Sequence, residues 1–437
     1  MSSKRLILYH TNWACYGRSF QVKDLPIDYI TDINYSFFDL REKGGFLVPT
    51  SSDPWADTDK RYGPGEGVAP ADSDADGYFG QFGQFMKLKR QGKRFRFGLS
   101  IGGWTFSKHF SSSVRTPEAR SAFVNEIIAI LSRYPGLFDR IDFDWEYISP
   151  VGINFGDPGN ETHPEDANNF SLLLQLLRQC LDSTNNSNIE LSACVVGDPA
   201  KMDALPLGAM CQYLATINIM TYDFASSAWG SCLAGHQTNL KSTPYAPLSI
   251  ERGVDFLIGK GVPPSKLIIG VAYYSRAFAN TAGLGQPSSG SSPDKSWEDG
   301  VVDYKALPVA GATEYWDDLA KATYSYDPAK RVLSSYDSVE SVRAKCAYVH
   351  EKGLAGIIVW ESSADFPISH PRSLTAALHA GLIGASAGPV GATGGREANS
   401  TTGGLQSGNG HPQLAPWLSG GQQQQPQFQS SQKAPWL

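Results

Sequence analysis

The sequence predicts an α/β fold, a (β/α)8 barrel with a small α+β insertion between its seventh and eighth strands. Two observations lead to this prediction: short apolar runs recur eight times along the chain, and helical patterns lie between most of them. Strands that alternate with helices indicate βα units and a parallel sheet. Eight such units can close into a TIM barrel, whose catalytic groups lie at the C-terminal ends of its strands.

Each predicted strand is an apolar run of the length expected for a buried strand. The eight runs are residues 6–9, 32–38, 95–101, 140–145, 189–196, 217–222, 267–273 and 356–360. The clearest helical patterns are residues 117–134, 164–181, 250–260 and 339–352. A doubly wound open sheet is the alternative arrangement, but no glycine-rich phosphate loop follows the first predicted strand.

The interval between the seventh and eighth strands is too long for a single helix, and it defines the insertion. We expect a catalytic barrel formed by residues 1–276 and 338–383, with residues 277–337 as an α+β insertion domain. Residues 384–437 are rich in glycine, glutamine, serine and proline. Such a composition cannot bury enough apolar surface to fold, so we predict a disordered tail.

Composition and charge argue against several classes of function. The formal net charge of −6 gives no support to binding of nucleic acid or of an anionic membrane. The six cysteines are scattered without C-x-x-C spacing, which argues against a zinc site or a redox motif. The N-terminal apolar run is too short for a signal-peptide core, and no segment is long enough to span a membrane. We expect a monomer without cofactor or metal that is cytoplasmic, or extracellular without a conventional signal peptide.

The fourth predicted strand carries the most informative pattern, with Asp142, Asp144 and Glu146 separated by apolar residues. Side chains on a strand alternate between its two faces, so the three carboxyl groups share one face. Such groups repel one another, and buried charges are costly unless they are paired. The arrangement therefore indicates a function rather than a contribution to stability.

Three interpretations of this acidic face are open. It could be the exposed side of an amphipathic strand, although such a side would more often mix lysine, threonine and serine with its acids. It could bind a hard cation, although no nearby cluster of histidine or aspartate completes a site. It could perform acid–base catalysis, because one of several crowded carboxyl groups can stay protonated near neutral pH. Glycoside hydrolysis needs such a group to protonate the leaving oxygen.

Taken together, these features make the chain similar to the family 18 glycoside hydrolases, the chitinase family. The acidic strand matches the family's D-x-x-D-x-D-x-E pattern at Asp139, Asp142, Asp144 and Glu146. Four other family motifs occur in the expected order, S-x-G-G at residues 100–103, M-T-Y-D at 220–223, a Y-S-R that resembles Y-G-R at 274–276, and W-E at 360–361. The resemblance covers residues 6–382.

The resemblance implies a retaining mechanism in which the substrate supplies the nucleophile. Glu146 would protonate the glycosidic oxygen and then act as base toward water. Asp144 would hold the N–H of the sugar's 2-acetamido group, and Asp142 would share a proton with Asp144 from deeper in the barrel. Tyr222 would donate a hydrogen bond to the acetamido oxygen.

The resemblance also implies a set of residues that bind chitin and its oligosaccharides. Trp360 would form the floor under the sugar at the cleavage point, and Trp13, Trp104 and Trp229 would stack on sugars to either side. The pocket would be lined or supported by Tyr9, Phe37, Met220, Asp223, Tyr274 and Arg276.

Three departures from the family pattern stand out. Arg140 replaces a common glycine, and we expect its side chain to point outward, away from the chemistry. Ser275 replaces the glycine of the Y-G-R motif, which is a mild change. Many members of the family have a proline directly after the residue that corresponds to Tyr147, whereas this chain continues with the loop 148–156. We expect this loop to lie at the edge of the cleft.

Three activities fit the family. The first is hydrolysis of β-1,4-linked N-acetylglucosamine polymers. The second, a sugar-binding lectin on the same fold, is disfavoured because Glu146, Asp144 and Tyr222 are intact. The third, an endo-β-N-acetylglucosaminidase acting on N-glycan cores, is disfavoured by Trp145 and the insertion, which such enzymes often lack. Endo or exo action is left open.

Overall fold

The computed structural model describes residues 4–63, 77–149, 152–203, 205–227 and 232–384. Eight parallel strands close into a barrel in which each strand pairs with the next along the chain and the last pairs with the first. They are β1 (Arg5–Thr11), β2 (Asp32–Lys43), β3 (Arg96–Gly102), β4 (Arg140–Asp144), β5 (Glu190–Val196), β6 (Thr216–Met220), β7 (Leu267–Ala272) and β8 (Gly356–Trp360). The predicted fold class, a (β/α)8 barrel with an insertion after β7, is confirmed.

Helices surround the barrel and bury the outward-facing apolar side chains of the strands. The α-helices are Gly80–Arg90, Phe110–Val114, Pro117–Arg133, Asp166–Asp182, Pro199–Met202, Leu207–Met210, Ile250–Gly259, Val339–Glu351 and Leu374–Leu382. The third of these shows a typical start, because the Thr116 side chain accepts a hydrogen bond from the Ala119 amide and Pro117 occupies the first turn. Within the described residues, no helix has the length and apolarity that crossing a membrane requires.

The insertion carries a four-stranded antiparallel sheet, whose strands lie in the order Arg276–Phe278, Val332–Tyr336, Ala322–Asp327 and Thr313–Asp317. Two shorter pairings complete the sheets: Phe46–Ser51 pairs with β2, and Cys232–Leu233 pairs with Pro287–Ser288. The domain limits at residues 276/277 and 337/338 stay a prediction. The predicted tail, apart from Gly384, lies outside the described residues.

The expectation that the Arg140 side chain points outward is wrong. Its side chain lies fully buried inside the barrel rather than pointing outward. The reason is the alternation of the strand, which places Arg140 on the same face as Asp142, two residues further on. The Arg140 guanidinium donates hydrogen bonds to the carboxylate of Asp32, to Asn34 Oδ1 at 3.1 Å and to Glu190 Oε2 at 3.2 Å.

Two further arginines join this cluster at the N-terminal end of the barrel. Arg5 Nη2 lies 2.6 Å from Glu190 Oε2, and Arg96 Nε lies 3.1 Å from Asp32 Oδ1. We call the five charged side chains, Arg5, Asp32, Arg96, Arg140 and Glu190, the ionic floor. The ionic floor closes the end of the barrel that lies opposite the cleft described next.

Candidate active site

A cleft of about 660 Å³ opens at the C-terminal ends of the barrel strands. Of the residues predicted from the sequence, the cleft is lined by Trp13, Phe37, Trp104, Asp144, Glu146, Met220, Tyr222, Asp223, Tyr274, Arg276 and Trp360. Tyr9 and Asp142 lie beneath it in the barrel interior. Trp229 lies outside the described residues. The structure therefore brings the described candidates together, while their individual roles stay predictions.

Asp142 is the deepest of the three acids and is fully buried. Its Oδ2 accepts hydrogen bonds from Tyr9 Oη and Ser100 Oγ, both at 2.8 Å. Its Oδ1 accepts from Ser192 Oγ at 2.5 Å and from Asn218 Nδ2 at 3.1 Å. Neutral donors from four different strands thus satisfy both oxygens, which is how a buried carboxylate is tolerated in a protein interior.

Asp144 lies above Asp142 on the same face of β4. Burial raises the pKa of Asp144 well above its ordinary value, and the carboxyl groups of Glu146 and Asp142 raise it further. A smaller effect in the opposite direction comes from the nearby Cys194 thiol. The Asp144 carboxyl group is therefore much harder to ionise than an ordinary aspartic acid.

Glu146 lies at the mouth of the barrel, where its carboxyl group faces the cleft. Burial raises the pKa of Glu146 to about 8, and the charge of Asp223 also raises it. The Tyr147 hydroxyl and the Trp104 backbone amide act in the opposite direction by hydrogen bonding. A carboxyl group that is protonated at neutral pH and open to a cleft is suited to act as a general acid.

Two glycines of the S-x-G-G motif provide the room that the acidic face needs. Gly102 adopts φ +109°, and a Cβ there would lie 2.2 Å from the Asp144 backbone oxygen. Gly103 adopts φ +82°, and a Cβ there would lie 2.5 Å from the Phe37 ring. Both positions lie in the region of φ that favours glycine, so any other residue would displace the end of β4 or an aromatic wall of the cleft.

Trp360, at the end of β8, belongs to a cluster of aromatic rings on one side of the cleft. Its ring stacks on Phe37 with centroids 5.4 Å apart and an interplanar angle of 17°. The rings of Tyr9 and Trp13 lie 5.7 Å and 6.4 Å from it. Such packing fixes the indole and leaves an apolar surface of the kind on which a sugar ring can rest.

An ion-paired group lies where the insertion meets the barrel. Arg276 Nε donates to Asp223 Oδ1 at 2.6 Å, and Arg276 Nη1 lies 3.4 Å from Glu298 Oε1. The Tyr222 and Tyr274 rings meet edge to face at 6.3 Å in the same wall. Arg276 therefore ties the first strand of the insertion to the acid that acts electrostatically on Glu146.

The structure adds cleft residues that reasoning from sequence missed. The loop 148–156, which was expected to edge the cleft, lines it at residues 155 and 156, and residues 157 and 158 just beyond that loop line it as well. The ammonium group of Lys201 lies 5.6 Å from the Tyr147 ring and 5.7 Å from the Phe155 ring. Tyr147 could have been found from its position next to Glu146, whereas Lys201 lies on the short helix Pro199–Met202, whose place beside the cleft the sequence does not specify.

A second missed group lines a small pocket next to Trp360. Arg18 Nη1 lies 3.4 Å from both Glu361 Oε1 and Asp303 Oδ1, and its guanidinium lies 4.5 Å above the Trp297 ring. Glu361 belongs to the W-E motif, which could have marked it as a candidate. Trp297 and Asp303 lie six residues apart in one segment of the insertion, Arg18 lies in the loop after β1, and none of the three carries a comparable signal.

The raised pKa of Glu146 predicts a pH limit on catalysis. Only the protonated carboxyl group can act as an acid, so kcat/KM for any reaction that uses Glu146 in this role should fall as the pH rises through about 8. The apparent midpoint belongs to Glu146 and Asp144 together, because the two groups interact. Initial rates between pH 5 and pH 10 measure this limb, and a profile that stays flat to pH 10 would contradict the assignment.

A (β/α)8 barrel that gathers an acid of raised pKa, a second carboxyl group and an aromatic floor in one cleft has the features that glycoside hydrolysis requires. The chain belongs to glycosyl hydrolase family 18, whose family model, "Glycosyl hydrolases family 18", matches residues 5–365. Among curated relatives, Endochitinase 1 of Metarhizium robertsii is 38% identical over 370 residues, covering 82% of this chain and 81% of that protein. Chitinase A1 of Niallia circulans is 32% identical over 411 residues, covering 83% and 57%.

Solved structures show the same architecture. The catalytic domain of psychrophilic chitinase B from Arthrobacter TAD20 superposes with a TM-score of 0.78 at 28% identity, covering 89% of this chain and 97% of that one. Chitinase ChiA74 from Bacillus thuringiensis superposes with a TM-score of 0.77 at 28% identity, covering 90% and 71%.

Proposed function

We propose that this protein is a chitinase that hydrolyses β-1,4-linked N-acetylglucosamine polymers and oligomers with retention, by a substrate-assisted mechanism. The observation that carries the proposal is the unequal environment of the acids on one strand. Glu146 is an acid open to the cleft with a pKa raised to about 8, whereas its neighbour Asp144 is buried and hard to ionise, which makes it a poor nucleophile. The chitinases and endochitinases among its relatives support this substrate class.

In the first step, Glu146 donates its proton to the glycosidic oxygen while the bond from the anomeric carbon to that oxygen breaks. The carbonyl oxygen of the sugar's own 2-acetamido group attacks the anomeric carbon and gives an oxazolinium-like intermediate. Asp144 shares its proton with Asp142, and its carboxylate form accepts the acetamido N–H and balances the positive charge. Tyr222 donates to the acetamido oxygen.

In the second step, the Glu146 carboxylate takes a proton from water, and the resulting hydroxide adds to the anomeric carbon. The acetamido carbonyl is released, and Glu146 regains the proton that it lost. Two inversions at one carbon give overall retention. Trp360, held by its ring contacts with Phe37 and Trp13, supports the sugar at the cleavage point during both steps.

The acetamido group is therefore expected to be essential to turnover. Chitohexaose should be cleaved, and proton NMR of the early products should show the β-anomer first. Fully deacetylated glucosamine hexamer, which lacks the internal nucleophile, should be cleaved at least about 10³-fold more slowly, because the loss of an intramolecular nucleophile removes its effective molarity. Equal rates on the two hexamers, or an initial α-anomer, would reject the mechanism.

A side-by-side digestion tests the substrate class separately from the mechanism. The protein should release short N-acetylglucosamine oligomers from chitohexaose and leave a high-mannose glycopeptide intact. Cleavage of the glycopeptide core in preference to chitohexaose would replace the proposal with an endo-β-N-acetylglucosaminidase. Tight binding of chitohexaose without cleavage would replace it with a lectin.

A further inference from the structure

The proposed mechanism leaves the buried side chain of Cys194 on β5 without a role. Its Sγ lies 3.0 Å from Tyr9 Oη, inside the barrel and next to the acidic face. Tyr9 donates its own hydrogen to Asp142 Oδ2 at 2.8 Å. Because a phenol has one hydrogen, the Tyr9 oxygen accepts the hydrogen of the Cys194 thiol. The three groups form a chain of donors that ends on Asp142.

A second acceptor lies beside Cys194 on the neighbouring strand, because the register that pairs Asp142 with Ser192 and Phe143 with Ala193 continues to Asp144 and Cys194. Asp144 Oδ1 is buried and has no hydrogen-bond partner among the described residues. Hydrogen bonding by the Cys194 thiol lowers the pKa of Asp144, whereas burial and the neighbouring carboxyl groups raise it. A thiol has a single hydrogen and is a weak donor, so it can exchange Tyr9 for Asp144 at little cost.

We propose that Cys194 is a positioning residue for the reaction, which moves its S–H hydrogen from Tyr9 Oη to Asp144 Oδ1 when Asp144 loses its proton. While Asp144 carries its proton, the thiol donates to Tyr9. When Asp144 accepts the acetamido N–H as a carboxylate, Oδ1 gains the thiol as a donor. This inference rests on the proposed function, because Asp144 meets an acetamido group only in a substrate-assisted reaction.

Several other ionisable groups act on Asp144 and Cys194, and their contributions have to be held constant. These groups are Tyr9 on β1, Asp142 on β4, Glu146 after β4 and Tyr222 after β6. A series of variants at position 194 leaves all of them in place. Differences in pH profile within the series therefore report the side chain at position 194.

Three variants separate donation from packing. C194S keeps a donor, C194V keeps an apolar side chain of similar volume without a donor, and C194A removes both. We expect kcat for chitohexaose to fall about 2–10-fold in C194A and C194V, the effect of one modest hydrogen bond, with KM nearly unchanged. Loss of the donor raises the pKa of Asp144, so the acid limb of the kcat profile should move to higher pH. C194S should stay near the wild type.

The outcomes are distinguishable. Lower melting temperatures in C194A and C194V without any shift of the acid limb would overturn the proposal and leave a packing role. A C194S profile that matches C194A would overturn it as well, because donation would then be irrelevant. Failure of the proposed function would look different, since no member of the series, wild type included, would then cleave chitohexaose.

Discussion

Replacement of Glu146 by glutamine should reduce kcat for chitohexaose by about 10³-fold or more, the upper part of the range for a general acid. The amide has nearly the same shape and can still donate a hydrogen bond, but it cannot release a proton to the leaving oxygen. The second step would lose its base at the same position. Binding should persist, because the walls formed by Trp13, Trp104 and Trp360 are unchanged.

Two measurements make this expectation specific. Calorimetric titration of E146Q with chitohexaose should give a dissociation constant close to the KM of the wild type, and its melting temperature should match or exceed that of the wild type, because a buried, hard-to-ionise group has been neutralised. E118Q is the matched control, since Glu118 lies exposed on a surface helix, and it should keep full activity. Substantial turnover by E146Q would exclude Glu146 as the acid.

The barrel and the acidic face could be predicted because both depend on short-range patterns. Each apolar run in the sequence became a strand, and the alternation of Asp142, Asp144 and Glu146 placed them on one face, as β4 and the cleft now show. Helix ends such as Thr116 followed by Pro117 also carry local signals. Patterns of this kind need no knowledge of the tertiary fold.

The parts that could not be predicted depend on contacts between distant segments. Arg18 meets Glu361 only because the barrel closes and brings the loop after β1 beside the end of β8. Lys201, on the short helix Pro199–Met202, meets Phe155 only because that helix and the loop that holds Phe155 converge at the cleft. Asn218 and Ser192 carried no signal of their own, although both donate to Asp142.

The wrong expectation for Arg140 has a different origin. The same alternation that aligned the acids assigns Arg140 to the interior, but an unpaired arginine there would be prohibitively costly. Only the structure shows Asp32 on β2 and Glu190 on β5 pointing at the same level of the barrel. The expectation from the sequence was wrong because it considered the charge of Arg140 without its partners Asp32 and Glu190.

Replacement of Arg140 by alanine should therefore lower the free energy of unfolding by about 3 kcal/mol or more, the cost of breaking a buried ion pair. Burial alone would raise the pKa of Asp32, but the charges of Arg140, Arg5 and Arg96 outweigh it and hold that pKa below its ordinary value. Without Arg140, fully buried Asp32 loses its fully buried partner, and Asn34 Oδ1 loses its donor. Urea titration at pH 7 measures the difference.

The ionic floor supplies a matched control, because Arg96 contacts the same Asp32 carboxylate while its own side chain is 41% exposed. R96A should cost less than about 1 kcal/mol, as solvent-exposed ion pairs usually do.

The sign of the pH dependence follows from the lowered pKa of Asp32: the stability that its ionised form contributes is present above the unfolded pKa of about 3.9 and is lost in acid. The gap between the wild type and R140A should thus be widest near pH 7 and narrow toward pH 4, where a proton can neutralise Asp32 in the variant. Two results would contradict this explanation: equal losses of unfolding free energy in R140A and R96A, or a difference between the wild type and R140A that does not change with pH. Either result would mean that the buried pair of Arg140 and Asp32 is not the source of the stability that the ionic floor provides.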